Sequence, residues 1–411
     1  THSCGPYIIP HSHADCYAMY TNNPPAGAFR GFGVVQAAFG IESAIDMLAK
    51  ELNIDPMAMR KKNCLHIGST TNTGHFLTES VGLPECLDAI STWWAENGIS
   101  DPFQPQTEEI SGQNLITCWG LACGFKNTGL GTGADDSSGV ILKLLPAGRL
   151  QIKSGASEVG QGMVTTLQLI AAEVLNILPD NINVYLMDTQ LTLDGGPTTA
   201  SRQTYVTGNA VRQAAVALRE RILDMLSKQF GVDRTAIQLT AEGAAWTEGK
   251  SSWQQIYDLL KQTPQGLEVE FRYHAPETFP LDVGGRIHVA YGFAVQAVKV
   301  GINPETGEVK ALQVVAANDA GRIINPLGFA SQVEGGVIMG IGHALMEDFK
   351  VDEGVIKSDR IARYDVPRMQ DLPEITSIIV ESRTSEGPFG AKGVGELVCV
   401  PTPPAISNAI Y

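Results

Sequence analysis

The sequence predicts an α+β fold in which helices pack against mixed sheets. Apolar residues recur at three- and four-residue steps in several long stretches, which is the pattern of amphipathic helices. Short apolar runs joined by tight turns predict antiparallel hairpins between those helices. Hairpins beside crossovers favour a mixed architecture over a regular parallel sheet. The chain has 411 residues, of which 44% are hydrophobic and 18% charged, so it is long enough to bury large cores.

Three helices are predicted in the first part of the chain. Apolar residues at helical spacing predict the first one over residues 33–52. Asp55 is followed by a proline, a pair that caps and opens a short second helix running towards Lys62. Residues 84–96 have the same apolar period and predict the third helix.

A polar segment then separates two predicted domains. Residues 96–114 contain two prolines and two glycines and have no sustained period, which is typical of a linker. We therefore predict one domain over residues 1–95 and a second over residues 115–411. Within the second, the predicted elements are strands 140–145 and 150–153, helix 162–178, strand 182–187, helix 206–230, strands 289–300 and 309–317, helix 332–349 and a helix opened by Pro403 and Pro404.

Charge and cysteine content argue against several classes of protein. The chain has 29 basic and 44 acidic residues, a formal charge of -15, which repels nucleic acids and anionic membranes. Its seven cysteines are scattered without a CxxC pair, which predicts neither a disulfide framework nor a zinc or iron–sulfur site. We expect a cytoplasmic protein that binds neither nucleic acid nor membrane. Because the first residue is not methionine and the chain stops soon after the helix start expected at Pro403 and Pro404, we also expect a fragment or a processed subunit.

Four glycine-rich blocks are the strongest candidates for a binding site. They span Ala28–Gly33, Glu158–Gly162, Gly195–Arg202 and Gly387–Glu396, and each combines small residues with one or two polar side chains. Backbone amides without side-chain cover are suited to holding a phosphate or a polar cofactor. None of the blocks has the spacing of a nucleotide-binding loop. Taken singly, each block is more simply explained as an ordinary turn.

In this order and at these separations, the blocks resemble the molybdenum-binding subunit of the xanthine dehydrogenase and aldehyde oxidase family of molybdenum hydroxylases. A fifth block, Gly321–Gly336, also has a counterpart in that family, and the resemblance spans nearly the whole chain. It implies molybdopterin-binding domains of mixed sheets and packed helices. It also implies that the pterin holds the molybdenum, so no protein side chain is expected to ligate the metal.

The resemblance implies roles for individual residues. Glu396 matches the glutamate that acts as general base, and a solvated glutamate at the end of a glycine turn is the alternative. Phe32 matches a ring that contacts a flat substrate, although a buried phenylalanine is more often part of a core. Phe125 is the candidate for a second aromatic wall, in a stretch that departs from the family pattern. The residues matched to cofactor binding are Arg30, Gly31, Gly160, Gln161, Thr199, Ala200, Ser201, Gln332 and Gly395.

The function implied by the resemblance is hydroxylation of an aromatic N-heterocycle, xanthine-like or nicotinate-like, with water as the oxygen source. An aldehyde oxidoreductase with the same metal centre and a scaffold domain without catalytic activity are the alternatives. The implied cofactor is molybdopterin, and its cytosine dinucleotide form is left open. The 2Fe-2S and FAD centres are expected on partner segments or subunits, together with the N-terminal half of the molybdenum subunit.

Overall fold

The structure is a computed structural model that describes residues 2–24, 26–264 and 266–411. Its helices, in chain order, are α1 (Val34–Glu51), α2 (Pro56–Asn63), α3 (Leu83–Glu96), α4 (Met163–Leu175), α5 (Gln203–Phe230), α6 (Trp253–Leu260), α7 (Pro326–Leu345), α8 (Ile361–Tyr364) and α9 (Thr402–Ile410). Within the described ranges, no helix is both long and apolar enough to cross a membrane.

The strands are short at the edges and long at the centre of the main sheet. In chain order they are β1 (Gln106–Ile110), β2 (Gln113–Thr128), β3 (Ser137–Leu144), β4 (Leu150–Ser154), β5 (Ile182–Leu186), β6 (Gln238–Thr240), β7 (Gly243–Trp246), β8 (Gly249–Ser252), β9 (Glu268–His274), β10 (Ala290–Ile302), β11 (Val309–Asp319), β12 (Val351–Asp352), β13 (Val355–Ile356) and β14 (Glu374–Val380).

The main sheet has five strands in the order β1-β2-β10-β11-β14. Neighbouring strands are antiparallel except β11 and β14, which are parallel. Because side chains alternate along a strand, both faces of the central strands are apolar and each face has its own core. One core includes Leu121, Phe293 and the residues of α3, and the other includes Ala122, Val298 and the inner residues of α7 and α9. The sheet is therefore covered by helices on both sides.

A second, four-stranded sheet has the order β5-β4-β3-β9. Its core contains buried residues of β3 and β4 and the apolar sides of α4, α5 and α6. The small sheet β6-β7-β8 adjoins α6, whose N-terminus is closed by a capping box between Ser252 and Gln255. Long helix α5 contacts both β3 and β9, so it crosses the back of this sheet.

The predicted helices are present, with shifted ends. The helix predicted over 162–178 ends at Leu175, because Asn176 adopts a left-handed conformation. The predicted linker, 96–114, differs from the structure in its second half, since β1 and the first residues of β2 pair with each other there. Residues on both sides of it, such as Ile90 and Leu121, also share one core. Edge strand β1 is mostly exposed, so it lacks the apolar alternation that would have indicated a strand.

Candidate active site

The glycine-rich blocks meet at one cleft of about 640 Å³. The segments that lead into α1 and α4 and the first residues of α5 line it, and α7 and the segment that precedes α9 complete its walls. Nine of the twelve predicted site residues line the cleft: Arg30, Phe32, Gly160, Gln161, Thr199, Ser201, Gln332, Gly395 and Glu396. Segments more than 350 residues apart therefore form a single site, as residues 30 and 396 show.

The turn before α1 is held by the side chain of Arg30. Its guanidinium donates hydrogen bonds to the backbone carbonyl of Gly395 and to Gln332 Oε1, the latter at 3.0 Å. The thiol of Cys399 donates to the Arg30 carbonyl at 3.3 Å. The ring of Phe32 is 67% exposed and lines the cleft. A large aromatic ring is thus presented to the cleft on a turn that is fixed from behind.

The block before α4 holds a carboxylate of its own. Glu158 accepts hydrogen bonds from the backbone amides of Gly160, Gly162, Met163 and Val164 at 2.6 to 3.2 Å. Partial burial opposes ionisation, but these amide hydrogen bonds lower the pKa of Glu158. The amides at this helix N-terminus are therefore engaged by a protein carboxylate and are not available to an external phosphate.

Gln161 lines the cleft with an amide that is bound within its own loop. Its Oε1 accepts from the Val159 amide at 2.6 Å, and its Nε2 donates to the Ser157 carbonyl at 2.9 Å. The neighbouring Gly160 and Gly162 have positive φ and leave open space where a Cβ would stand. These two positions therefore leave room for a bound group, although their amides are engaged by Glu158.

The block before α5 is fixed by the buried Arg202. Its guanidinium bonds Asp136 Oδ1 at 2.6 Å and the carbonyls of Gly195 and Ser137 at 2.8 and 2.7 Å. Ser201 has a φ of 51°, a left-handed conformation that is uncommon outside glycine. Its hydroxyl is thereby directed towards the last glycine block.

Glu396 lies at the end of that last block and is held on several sides. The backbone amide of Glu396 donates to Ser201 Oγ at 3.1 Å, and this hydroxyl in turn donates to Glu396 Oε2 at 3.4 Å. Lys126 Nζ lies 3.2 Å from the same carboxylate oxygen. A Cβ on Gly393 would come within 1.7 Å of the Ser201 carbonyl, so only glycine permits this approach of the two loops.

The other three predicted site residues, Gly31, Ala200 and Phe125, are not among those that line the cleft. Gly31 faces Val35 and Cys399, and the carbonyl of Ala200 accepts from the Gly129 amide. Phe125 is 2% exposed and stacks on Phe293. Because it alternates with Lys126 along β2, its ring points to the opposite face of the sheet from Glu396. Its assignment as an aromatic wall of the cleft gains no support from this position.

Sequence reasoning did not pair Lys126 with Glu396. The structure places the Lys126 ammonium 3.2 Å from the Glu396 carboxylate. The sequence carried no local signal for this pair, because strand β2 was not predicted and the two residues lie far apart in the chain. Among residues 2–24, 26–264 and 266–411, no three His, Cys, Asp or Glu side chains are close enough together to hold a metal ion.

A concave cleft in which amide side chains and a carboxylate converge beside open glycines is the kind of site that binds a ligand or cofactor. Two family models agree with that class: molybdopterin cofactor-binding domains match residues 100–373 and residues 1–64. The chain belongs to the family of molybdopterin cofactor-binding domains. The predicted family and the predicted α+β fold class are both confirmed.

Curated relatives match the chain over nearly its whole length. It is 30% identical to a probable xanthine dehydrogenase subunit of Bacillus subtilis, over 100% of this chain and 53% of the relative. It is 29% identical to the gamma subunit of the 6-hydroxypseudooxynicotine dehydrogenase complex of Paenarthrobacter nicotinovorans, over 99% of this chain and 51% of that subunit. It is 30% identical to the molybdenum-binding subunit of an aldehyde oxidoreductase of Escherichia coli O157:H7, over 94% of this chain and 50% of that subunit. The chain thus spans about half the length of these relatives.

Solved structures share the fold. The aldehyde oxidoreductase of Desulfovibrio desulfuricans superposes with a TM-score of 0.76 at 28% identity, over 93% of this chain and 39% of that one. Quinoline 2-oxidoreductase of Pseudomonas putida gives a TM-score of 0.78 at 21% identity, over 94% and 50%. The second likeness concerns the fold alone.

Proposed function

We propose that this chain forms part of a molybdenum hydroxylase that hydroxylates an aromatic N-heterocycle with water as the oxygen source. The observation that carries the proposal is the position of Glu396, whose carboxylate lines the 640 Å³ cleft between glycine loops and amide side chains. Two relatives support a heterocyclic substrate by name, a xanthine dehydrogenase subunit and the nicotine 6-hydroxylase large subunit. The resemblance seen in the glycine blocks points the same way.

The residues of the cleft fit a molybdopterin. Gly160 and Gly162 leave open space on one wall. Gln161 and Gln332 line the cleft, and beyond their contacts within the protein each amide keeps a donor hydrogen and an acceptor lone pair for an uncharged heterocycle. Thr199 offers a hydroxyl on another loop of the lining, and Ser201 lines the cleft beside it. When bound, the molybdenum cofactor supplies the two-electron oxidation that a protein side chain cannot perform. The proposal applies equally to the cofactor with or without a cytosine nucleotide.

Glu396 is assigned as the general base. Its carboxylate takes the proton from the water-derived oxygen as that oxygen attacks the electron-poor carbon of the substrate. Phe32 presents an exposed ring at the cleft, against which a planar substrate can stack. Arg30 holds the carbonyl of Gly395 and so fixes the loop that carries the base.

A second candidate reaction is the oxidation of an aldehyde at the same site. It is favoured by the 30% identity with the aldehyde oxidoreductase of Escherichia coli O157:H7 and by the 28% identity with the aldehyde oxidoreductase of known structure. In either case we assign the 2Fe-2S and FAD centres to partner subunits, since one relative is itself named as part of a dehydrogenase complex. The free, scattered cysteines favour a reducing cytoplasm.

The test is the variant Glu396→Gln in the assembled enzyme. It preserves shape but removes the base, so turnover should fall by at least about a hundredfold while molybdenum content is unchanged. Glu268→Gln is the matched control, because Glu268 also lies 3.2 Å from a lysine ammonium but on the surface. Xanthine, hypoxanthine, nicotinate and benzaldehyde, offered with an acceptor dye, separate the two reactions.

Two outcomes would contradict the proposal. Loss of molybdenum at near-normal activity per metal atom would make Glu396 a structural residue. Wild-type enzyme that holds stoichiometric molybdenum but oxidises none of the four compounds would argue for the scaffold alternative.

A further inference from the structure

Lys126 is a buried cation with a defined set of partners beside the cleft. The side chain is only 6% exposed, and its ammonium lies 3.2 Å from Glu396 Oε2. It also donates to Asn127 Oδ1 at 2.6 Å. An ammonium so deeply buried requires such partners, because its desolvation is costly. Lys126 does not line the cleft, so it contacts the base from behind rather than facing a substrate.

The contacts divide the two oxygens of the Glu396 carboxylate. Both Lys126 Nζ and Ser201 Oγ approach Oε2. No hydrogen bond from a described residue reaches Oε1. The carboxylate is 14% exposed, and Glu396 lines the cleft. Oε2 is thus bound by protein side chains, and Oε1 is the oxygen that can contact a molecule in the cleft.

We propose that Lys126 is a positioning residue for Glu396, holding Oε2 so that the carboxylate stays ionised and presents Oε1 to the reacting oxygen. This inference rests on the proposed function, because it assigns the means by which the same base is kept ready. An opposite charge within about 4–6 Å favours the ionised carboxylate, whereas burial disfavours it. Lys126 therefore offsets the burial of Glu396.

Other titratable groups around the pair keep a constant charge near neutral pH. Burial, reinforced by the charge of Lys126, lowers the pKa of His2 and lowers that of His288 to about 3. Burial raises the pKa of Cys399 to about 12. Arg30 is permanently charged and is bound to Gly395 and Gln332. Near neutral pH, a change in protonation between Lys126 and Glu396 is therefore not masked by these neighbours.

The decisive variant is Lys126→Met, which keeps the length of the chain but removes the charge. In the assembled protein, the infrared carboxyl band of Glu396 is isolated by subtracting the spectrum of the same protein carrying Glu396→Gln. We expect the pH midpoint of protonation to rise by at least about 1 unit in Lys126→Met. Lys126→Arg should shift the midpoint by less than half as much, because it keeps the charge.

Lys143→Met is the matched control. Lys143 lies at the same 3.2 Å from a glutamate, Glu268, but both side chains are 40% exposed. Its removal should leave the Glu396 midpoint unchanged. In turnover assays of Lys126→Met, the acidic limb of the plot of kcat against pH should rise in pH together with the infrared midpoint of Glu396. KM should change little.

Three results would overturn the inference. They are an unchanged midpoint in Lys126→Met, an equal shift in Lys126→Arg, and a shift in the Lys143→Met control. Glu396→Gln could retain full turnover while Lys126→Met still raises the pH midpoint of the Glu396 band. In that case Glu396 is not the general base and the proposed function is wrong, but the electrostatic contact between Lys126 and Glu396 is confirmed.

A reverse measurement applies if Lys126→Met does not assemble. In Glu396→Gln, the buried ammonium loses its counter-charge, so the Lys126 signal in isotope-labelled lysine NMR should titrate at least about 1 unit lower than in the wild type. Lys126→Arg identifies that signal. An unchanged titration would refute the assigned role.

Discussion

Asp319 joins four segments behind the cleft, and removing its charge should strongly destabilise the protein. It is fully buried at the end of β11. Its Oδ2 accepts from Lys392 Nζ at 2.6 Å and from the Gly82 amide at 3.1 Å. Its Oδ1 accepts from the amides of Gly321 and Ser382, both at 3.0 Å. Lys392 begins the run that leads to Glu396, so this carboxylate links the sheet to the proposed catalytic loop.

The expected size of the effect follows from these contacts. Asp319→Asn keeps one oxygen for two of the amides but leaves the Lys392 ammonium without a counter-charge, which costs about 3–5 kcal/mol. The new amide group also faces the Gly82 donor, and an unsatisfied buried donor costs about 1–3 kcal/mol. We expect the free energy of unfolding to fall by at least about 4 kcal/mol.

The loss should also depend on pH. Burial lowers the pKa of Lys392, and Asp319 opposes that shift. Without the Asp319 charge, folded Lys392 releases its proton at a lower pH than unfolded Lys392. The unfolded state then binds more protons, so the destabilisation should shrink as the pH rises.

Urea unfolding followed by tryptophan fluorescence measures the change. Asp88→Asn is the control, because Asp88 pairs with Lys61 at 2.7 Å on the surface, where such a pair contributes about 1 kcal/mol or less. The double variant Asp319→Asn/Lys392→Met should recover part of the loss, since it removes both charges. A decrease in the free energy of unfolding of less than about 1 kcal/mol in Asp319→Asn would refute the reasoning. A double variant that is less stable than both Asp319→Asn and Lys392→Met would refute it as well.

Two further predictions concern a glycine and a histidine. Gly393→Ala places a Cβ against the Ser201 carbonyl, so it should lower the cofactor content and decrease the free energy of unfolding by about 1–3 kcal/mol. Gly335→Ala is the control, because its Cβ meets no neighbouring atom. In cofactor analysis and urea unfolding it should be neutral or stabilising. Burial first, and then Lys126, lowers the pKa of His288 to about 3, so the unfolded state binds more protons below about pH 6.5. Stability should therefore decline by up to about 1.4 kcal/mol per unit as the pH falls from there towards 3, and His288→Leu should flatten that slope in acid unfolding.

The helices were more predictable from the sequence than the central strands. Helix α1 was predicted because its apolar residues repeat at helical spacing. Strand β2, the longest of the main sheet, was missed because glycine and polar residues interrupt its apolar alternation. The structure explains one of them: a Cβ on Gly120 would lie 2.0 Å from the Ala405 carbonyl, so α9 packs directly on the backbone of β2. This requirement depends on the tertiary fold and leaves no periodic signal in the local sequence.

The site was predictable in its parts but not in its pairings. The glycine blocks were recognisable from composition and order, since each is a local feature of the chain. The ion pairs behind them join Lys126 to Glu396 and Asp319 to Lys392. These partners are brought together only when the strands and loops have found their places in the fold, so no local spacing indicates them.

Three of the four glycine-rich blocks are fixed by basic side chains. Arg30 binds the Gly395 carbonyl. Arg202 binds Asp136 and carbonyls of its own loop. In the last block, Lys392 pairs with Asp319, and Glu396 pairs with Lys126. Glycine loops have little side-chain surface to bury, so packing alone defines their conformation poorly. Buried ion pairs add little net stability, but breaking one is costly. They therefore suit loops that must stay open to a cofactor and still hold a carboxylate in one position.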